Sequence, residues 1–318
     1  MVSEGTAPQE LPLESFSILP LSLTLKAVTA IKLPAYKGST FRGAFGAAFK
    51  RATCVSKAKS CSECILKERC PYSYVFETPV PITSDRMRKY PYAPHPFVLV
   101  PPLEDRRNYS PGEQFEVFLT LICRGIDYLP YFLFAFGEMG KKGIGRGRGK
   151  FELVEARTTA GEAVYMDGTV RSPASVRWGD IIDGPPPAEL TLKFLTPLRV
   201  RYRERLCSDL EFHVLIRSLL RRISLLSFFH CGQELKADFR GFITQAQNVR
   251  TVRNHLVWHD WLRYSHRQRA KLKFGGLMGE ITFKGDFRPF WPFLRLGEWI
   301  HAGKGTSFGL GRYEIVSK

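Results

Sequence analysis

The chain has no apolar run that approaches the ~20 residues of a membrane-spanning helix. Its first residues include Glu4, Glu10 and Glu14 and lack a basic stretch followed by an apolar block, so no secretory signal is evident. We therefore expect a cytoplasmic protein that does not act at a membrane.

Acidic side chains are scarce relative to basic ones. The 318 residues include 47 Lys and Arg against 30 Asp and Glu, which gives a formal net charge of +17. This excess is spread along the chain, and apolar residues make up 44% of it, enough for a substantial core. A folded protein of this charge favours a polyanionic partner, with nucleic acid preferred over anionic lipid.

The sequence also lacks closely spaced carboxylate pairs of the kind that hold two catalytic metal ions. Residues 303–306 invite comparison with a nucleoside-triphosphate loop, but the Gly-Lys-Ser/Thr ending of such loops is absent. A basic phosphate-binding enzyme that acts on nucleotides is therefore the most distant interpretation.

The chain does contain two glycine-rich basic stretches that are similar to each other. Residues 134–154 and 294–316 each have an apolar helix-like run, a Gly-Glu pair, a basic glycine-rich loop and a short strand. Glycine allows turns with positive φ, and successive N–H groups in such a turn can hold an anion. We therefore expect both loops to bind phosphate.

The repeat extends upstream and predicts the fold. Each half contains a strand, a helix, further strands, a second helix and a last strand, which is the split βαβ order. In the second half Leu215, Leu219, Ile223 and Leu226 have helical spacing and are predicted core residues.

The predicted fold class is α+β, with two tandem ferredoxin-like (RRM-like, βαββαβ) domains. The first spans residues 1–183 and carries an insertion at about 52–110. The second spans residues 188–318, after a proline-rich linker at 183–187.

Several segments resemble the repeat-associated (RAMP) proteins of CRISPR systems, in the branch of endoribonucleases that process CRISPR repeat RNA. They are residues 38–46, 263–268, 275–279 and the terminal glycine-rich loop. The resemblance implies cleavage of CRISPR precursor RNA within each repeat, without a catalytic metal. It also implies attack by the 2′-hydroxyl, which leaves a 5′-hydroxyl and a 2′,3′-cyclic phosphate.

The resemblance, together with position along the chain, gives the candidate residues. The candidate catalytic residues are His301, Tyr36, Lys304 and Arg42. The candidate RNA-binding residues are Lys37, Lys141, Lys142, Arg146, Arg148, Arg263, Arg267 and Arg312.

These candidates have structural alternatives. His301 directly precedes the terminal loop and could transfer a proton, or could instead cap the last helix. Tyr36 could face RNA or pack within its loop. Arg263 and Arg267 share a face if their segment is helical, and could contact RNA or hold the second domain together.

The sequence departs from the family in its first helix. Many members carry a catalytic histidine there, whereas residues 41–51 contain none and have Ala47 and Ala48 instead. Two interpretations follow. Either another group serves as general base in an endoribonuclease, or the chain is a non-catalytic RNA-binding subunit that associates with other subunits of a CRISPR effector complex.

Four cysteines cluster after the predicted first helix. Cys54, Cys61, Cys64 and Cys70 fall within 17 residues, and Pro71 follows the last. Four thiolates on a short loop predict a structural zinc site, with an iron–sulfur cluster as the alternative. In a reducing compartment disulfides are not expected. The other three cysteines are therefore predicted to be packing residues: Cys123, Cys207 and Cys231.

Overall fold

The computed structural model describes residues 13–56, 60–80, 84, 92–260, 262–265, 270–273 and 275–316. For residues 262–265 and 270–273 it describes the backbone. None of the helices in these ranges is both long enough and apolar enough to cross a membrane.

The first half of the chain contains nine strands and three α-helices among the described residues. The strands are β1 (Ser17–Ala27), β2 (Ile31–Lys32), β3 (Phe97–Val100), β4 (Asn108–Tyr109), β5 (Gln114–Ile122), β6 (Phe151–Thr158), β7 (Ala163–Met166), β8 (Thr169–Val170) and β9 (Val176–Arg177). The helices are α1 (Gly38–Thr53), α2 (Leu129–Lys142) and α3 (Trp178–Ile181).

The second half continues with nine more strands and three more helices in the described ranges. The strands are β10 (Glu189–Leu198), β11 (Arg201–Tyr202), β12 (Arg205–Leu206), β13 (Arg250–Asn254), β14 (Val257–His259), β15 (Leu262–Ser265), β16 (Ala270–Lys273), β17 (Gly276–Lys284) and β18 (Tyr313–Val316). The helices are α4 (Phe212–Leu226), α5 (Phe239–Ala246) and α6 (Trp291–Ile300).

Each half builds one antiparallel sheet of the same topology. The first sheet runs β3-β5-β1-β6 and continues into β7 and β8, while the second runs β13-β17-β10-β18. In both, the first strand of the unit lies between the third and the fourth, and the second strand lies outside the third. This is the ferredoxin-like order, so the predicted double ferredoxin-like fold is confirmed.

The alternating pattern of the sequence determines which face of each sheet is buried. Leu19, Leu21, Leu23 and Leu25 of β1 are at most 1% exposed and pack beneath α1 and α2. Ser22 and Thr24, which lie between the last three of these leucines, are less buried, as expected for a strand with one face on the core. In α4 the four predicted core residues are fully buried, which confirms that prediction.

The insertion in the first half is shorter than the sequence suggested. Strand β3 lies within the stretch 52–110, yet it pairs with β5 as an integral strand of the sheet. The added segment is therefore confined to the chain between α1 and β3. A short apolar strand of four buried residues has no periodicity that separates it from a loop, which explains the difference.

The two halves share buried surface. Ile18, Val98 and Ile122 of the first half belong to the same apolar cluster as the core of the second half. A disulfide between Cys123 and Cys231 also joins them, across 108 residues of sequence. The prediction that these two cysteines are unpaired packing residues was therefore wrong, because two cysteines far apart in the sequence give no sign of being neighbours in space.

Candidate functional site

The terminal loop (residues 301–312) lies between the two halves of the protein. It follows α6, contains a short helical turn at Thr306–Phe308, and leads into β18. Gly309 has φ +83°, and a Cβ there would lie 2.9 Å from the carbonyl oxygen of Leu99 in β3. Thr306 and Ser307 are also buried. Much of the loop thus contacts the protein itself, whereas the sequence had suggested an open phosphate-binding turn.

Tyr36 connects this loop to the start of the first helix. Its hydroxyl donates a hydrogen bond to the carbonyl oxygen of Phe308, at 2.9 Å. Gly38, the first residue of α1, permits the approach, since a Cβ there would lie 2.2 Å from the same oxygen. Tyr36 is half-buried, and its hydrogen bond holds the hydroxyl at the terminal loop.

Lys304 is exposed and lies among other cations. Its backbone N–H donates to the carbonyl oxygen of Arg199, at 2.8 Å. The pKa of Lys304 is lowered, first by partial burial and then by the charges of Arg201, Arg199 and Arg221. A lysine with a lowered pKa is suited to proton transfer as well as to charge stabilisation.

Arg199 extends the cationic group towards Tyr36. Its guanidinium donates to the carbonyl oxygen of Gly275. Burial lowers the pKa of Arg199, while the nearby Tyr36 and Asp260 act in the opposite direction. We call Tyr36, Arg199, Arg201, Arg221 and Lys304 the cationic site. Sequence reasoning missed its three arginines, although the run of basic residues directly after β10 was a usable signal for Arg199 and Arg201.

His301 is the first residue of the loop, and its side chain is buried. It is 2% exposed, and its Nδ1 lies 3.0 Å from the carbonyl oxygen of Leu310, to which it donates. Burial, together with the charges of Arg312 and Arg222, lowers the pKa of His301 to about 3. The imidazole is therefore neutral and bridges the two ends of the loop, a placement that favours a structural role.

Two other candidates also face the protein. The Arg42 guanidinium lies over the rings of Phe76 and Phe308, at 4.2 and 5.6 Å from their centroids. Lys37 is 2% exposed, and its amine donates to the carbonyl oxygen of Glu104. Burial is the main cause that lowers the pKa of Lys37. In this structure neither cation is presented to a ligand at the surface, because each packs inside the first half or against the terminal loop.

The first glycine-rich loop, in contrast, is open to solvent. We call residues 141–150 the first basic loop; the candidate cations exposed on it are Lys141, Lys142, Arg146 and Arg148. The N–H of Arg146 donates to the carbonyl oxygen of Lys32, at 2.9 Å. Since Lys32 precedes Tyr36 by four residues, their Cα atoms lie within about 14 Å. The first basic loop is therefore a neighbour of the cationic site.

The remaining candidate cations lie elsewhere. The Arg312 guanidinium is 5.3 Å from the ring centroid of Phe118, and its side chain is 25% exposed. Arg263 lies in β15, which pairs with β16 as a hairpin, so this stretch is extended and not helical. Arg267 lies outside the described residues.

The four clustered cysteines line one cavity after α1, with a volume of about 370 Å³. All four are free thiols. No three of the described Cys, His, Asp and Glu side chains are grouped closely enough in this structure to hold a metal ion.

Comparison with known proteins identifies related chains. The family model AF_1859_N, described as an N-terminal domain, matches residues 15–176, just over half of the chain. The family model of the CRISPR-associated endoribonuclease Cas6 matches residues 192–313. An uncharacterised protein of Archaeoglobus fulgidus is 26% identical over 292 residues, which is 90% of this chain and 93% of that protein.

Solved structures show the same fold. A Cas6 product complex superposes with a TM-score of 0.59 at 17% identity, and covers 94% of this chain and 100% of its own. Thermus thermophilus Cas6 superposes with a TM-score of 0.55 at 15% identity, and covers 95% and 99%. The chain therefore belongs to the AF_1859_N family, and its second half matches the family model of the CRISPR-associated endoribonuclease Cas6.

Proposed function

We propose that this protein is an endoribonuclease that cuts CRISPR precursor RNA within its repeats, without a catalytic metal ion. The observation that carries the proposal is the cationic site. There the terminal loop of one half accepts a hydrogen bond from the Tyr36 hydroxyl of the other half. Lys304 of that loop lies among Arg199, Arg201 and Arg221, and Arg199 also lies near Tyr36. Two proton-transferring groups and several fixed cations are what phosphodiester cleavage by an internal nucleophile requires.

The reaction is written with the residues of this site. Neutral Lys304 accepts the proton of the 2′-hydroxyl as the 2′-oxygen bonds to the adjacent phosphorus. The bond from phosphorus to the 5′-oxygen breaks, and the Tyr36 hydroxyl donates a proton to that oxygen. The products are a 2′,3′-cyclic phosphate and a 5′-hydroxyl. Arg199, Arg201 and Arg221 stabilise the negative charge that develops on the phosphorane.

His301 and Arg42, which the sequence placed among the catalytic candidates, have a positioning role in this proposal. His301 bridges the two ends of the terminal loop, and Arg42 supports the ring of Phe308. The loop that carries Lys304 is thereby held against Tyr36.

A second candidate function is that of a non-catalytic RNA-binding subunit in a CRISPR effector complex. The observation that favours it is the first helix, where Ala47 is exposed and Ala48 buried and residues 41–51 contain no histidine. The cationic site would then hold RNA without cutting it.

One experiment separates the two functions. Purified protein is incubated with labelled repeat RNA in excess EDTA, beside the same RNA with a single 2′-deoxy substitution at the cut. We expect cleavage of the first RNA alone, with product ends that carry a cyclic phosphate. Tight, salt-sensitive binding of both RNAs without cleavage would instead establish the binding function.

A further inference from the structure

The segment that connects α1 to residue 72 has no core of its own. Between Cys54 and Tyr72 none of the described residues is buried, and Ile65 and Val55 are 94% and 78% exposed. A stretch of this length without packed apolar side chains needs another source of stability, such as a disulfide or a metal ion.

All four cysteines of this segment are among its half-buried residues. Cys54 ends α1, Cys61 and Cys64 flank a tight turn, and Cys70 precedes the helical turn at Ser73–Glu77. The N–H of Cys64 lies 3.4 Å from the carbonyl oxygen of Cys61 across that turn. All four line one cavity beneath the segment.

The chemistry around the cavity suits thiolates. Lys67 and Arg69 line the same cavity, and Lys50 lines a neighbouring one with Cys61. These cations offset the negative charge that four thiolates leave around a divalent ion.

We propose that Cys54, Cys61, Cys64 and Cys70 form a tetrathiolate metal centre that closes this segment around a zinc ion or an iron–sulfur cluster. The sulfur atoms are not grouped at ligand distance in this structure, so binding draws them together across the cavity. Four thiolates give zinc a closed tetrahedral site with no open position, which makes the centre structural.

The centre is separate from the cationic site. Tyr36 precedes α1 and Cys54 follows it, and a helix of 16 residues spans ~24 Å. The proposal therefore does not depend on RNA cleavage, and the two can fail independently.

The first test measures metal and thiols in the intact protein. The chain has five free cysteines, of which four would be ligands, so one thiol (Cys207) should react in the native protein. All five should react after denaturation with chelator. Elemental analysis should find about one zinc per chain in a colourless protein, or iron and sulfide in a brown one. Five reactive thiols in native, metal-free protein purified from zinc- and iron-supplemented culture would overturn the proposal.

The second test uses matched variants. The double substitution Cys61→Ser/Cys70→Ser should abolish bound metal, whereas Cys207→Ser, outside the cluster, should retain it. Full metal content in the double variant would refute the assignment. If the double variant does not fold, the test uses the unmodified protein and measures trypsin cleavage after the exposed Arg69. That cleavage should accelerate at least ten-fold when chelator removes the metal, and equal rates would contradict the proposal.

Discussion

The Tyr36 hydroxyl donates a hydrogen bond to the carbonyl oxygen of Phe308 and so joins the start of α1 to the terminal loop. These residues are 272 positions apart and belong to different halves of the protein. The proposed catalytic site thus exists only where the two ferredoxin-like units meet.

Removing the Tyr36 hydroxyl tests its role as proton donor. For Tyr36→Phe we expect the single-turnover cleavage rate to fall by roughly 10²-fold or more, since a general acid contributes about that much. RNA affinity should change little, because the ring remains in place. Tyr165→Phe, in β7 of the first sheet, is the control and should leave the rate unchanged. A Tyr36→Phe rate equal to that of the unmodified protein would remove Tyr36 from the mechanism.

The pH dependence of cleavage tests Lys304 as general base. Its neutral form is the active one, so the rate should rise with pH until the pKa of Lys304 is passed. Because this pKa is lowered, the rise should begin below the range of an ordinary lysine. The variant Lys304→Arg keeps the positive charge and should still bind RNA. Its cleavage rate should fall, and that rate should no longer rise with pH. Lys141→Arg is the matched control, and a normal pH profile in Lys304→Arg would show that another group is the base.

The buried, neutral His301 gives a prediction about stability. Its pKa is about 3 in the folded protein and about 6.5 when unfolded, so only the unfolded chain takes up the proton between these values. The free energy of unfolding should therefore fall as pH is lowered from about 6.5. The contribution of His301 is about 1.4 kcal/mol per pH unit once the unfolded histidine is protonated. His230, whose pKa burial lowers to about 4, adds a similar contribution.

The variant His301→Asn isolates that effect. Its amide can still donate to the Leu310 carbonyl, but it does not titrate. Denaturant unfolding measured at several pH values should show a smaller decrease of stability than in the unmodified protein, while cleavage stays within roughly three-fold. A loss near 10²-fold in cleavage with unchanged stability would instead identify His301 as the acid or base.

Because Cys123 and Cys231 form a disulfide, we predict that a reductant destabilises the protein. The Cys123–Cys231 bond closes a long loop, and removing such a bond costs roughly 2 to 5 kcal/mol. Cys123→Ser/Cys231→Ser should show this loss in denaturant unfolding and should no longer respond to dithiothreitol. Cys207→Ser should behave like the unmodified protein. Identical unfolding with and without reductant would mean that the bond does not form.

The first basic loop should contribute to RNA affinity through phosphate contacts. For Arg146→Gln/Arg148→Gln we expect weaker binding at every repeat sequence. The slope of the logarithm of the RNA association constant against the logarithm of salt concentration should also become shallower by about 1.4. Two phosphate contacts are lost, and each contributes about 0.7 on single strands. The cleavage rate at saturating protein should be preserved. Lys236→Gln/Arg240→Gln, an equally exposed pair near α5, is the control, and equal salt slopes for both pairs would contradict the assignment.

The fold was predictable because its signals are periodic. The alternating leucines of β1 and the helical spacing in α4 each report one buried face, and the repeated order of elements gave the topology. Strand β3 and the Cys123–Cys231 bond were missed, because neither a fully buried short strand nor a long-range pair leaves a local pattern.

The candidate site was harder to predict than the fold. Sequence position placed His301 beside the terminal loop, and the resemblance placed Arg42 and Lys37 near the start of the first helix. Whether a side chain faces solvent or the interior, however, depends on what packs against it. The carbonyl oxygen of Leu310 contacts the ring of His301, and the ring of Phe308 lies against the guanidinium of Arg42. Arg199 follows β10 and became relevant only because the loop folds back over it.

The two glycine-rich loops differ in how much of each is exposed to solvent. The cations of the loop in the first half are exposed to solvent. The loop in the second half packs against the other unit, and the cation it exposes most is Lys304. Substitutions in the first loop can therefore change the surface charge of the protein without disturbing its architecture. Substitutions in the second loop alter how the two units fit together, so variation in basic charge should be tolerated better in the first loop.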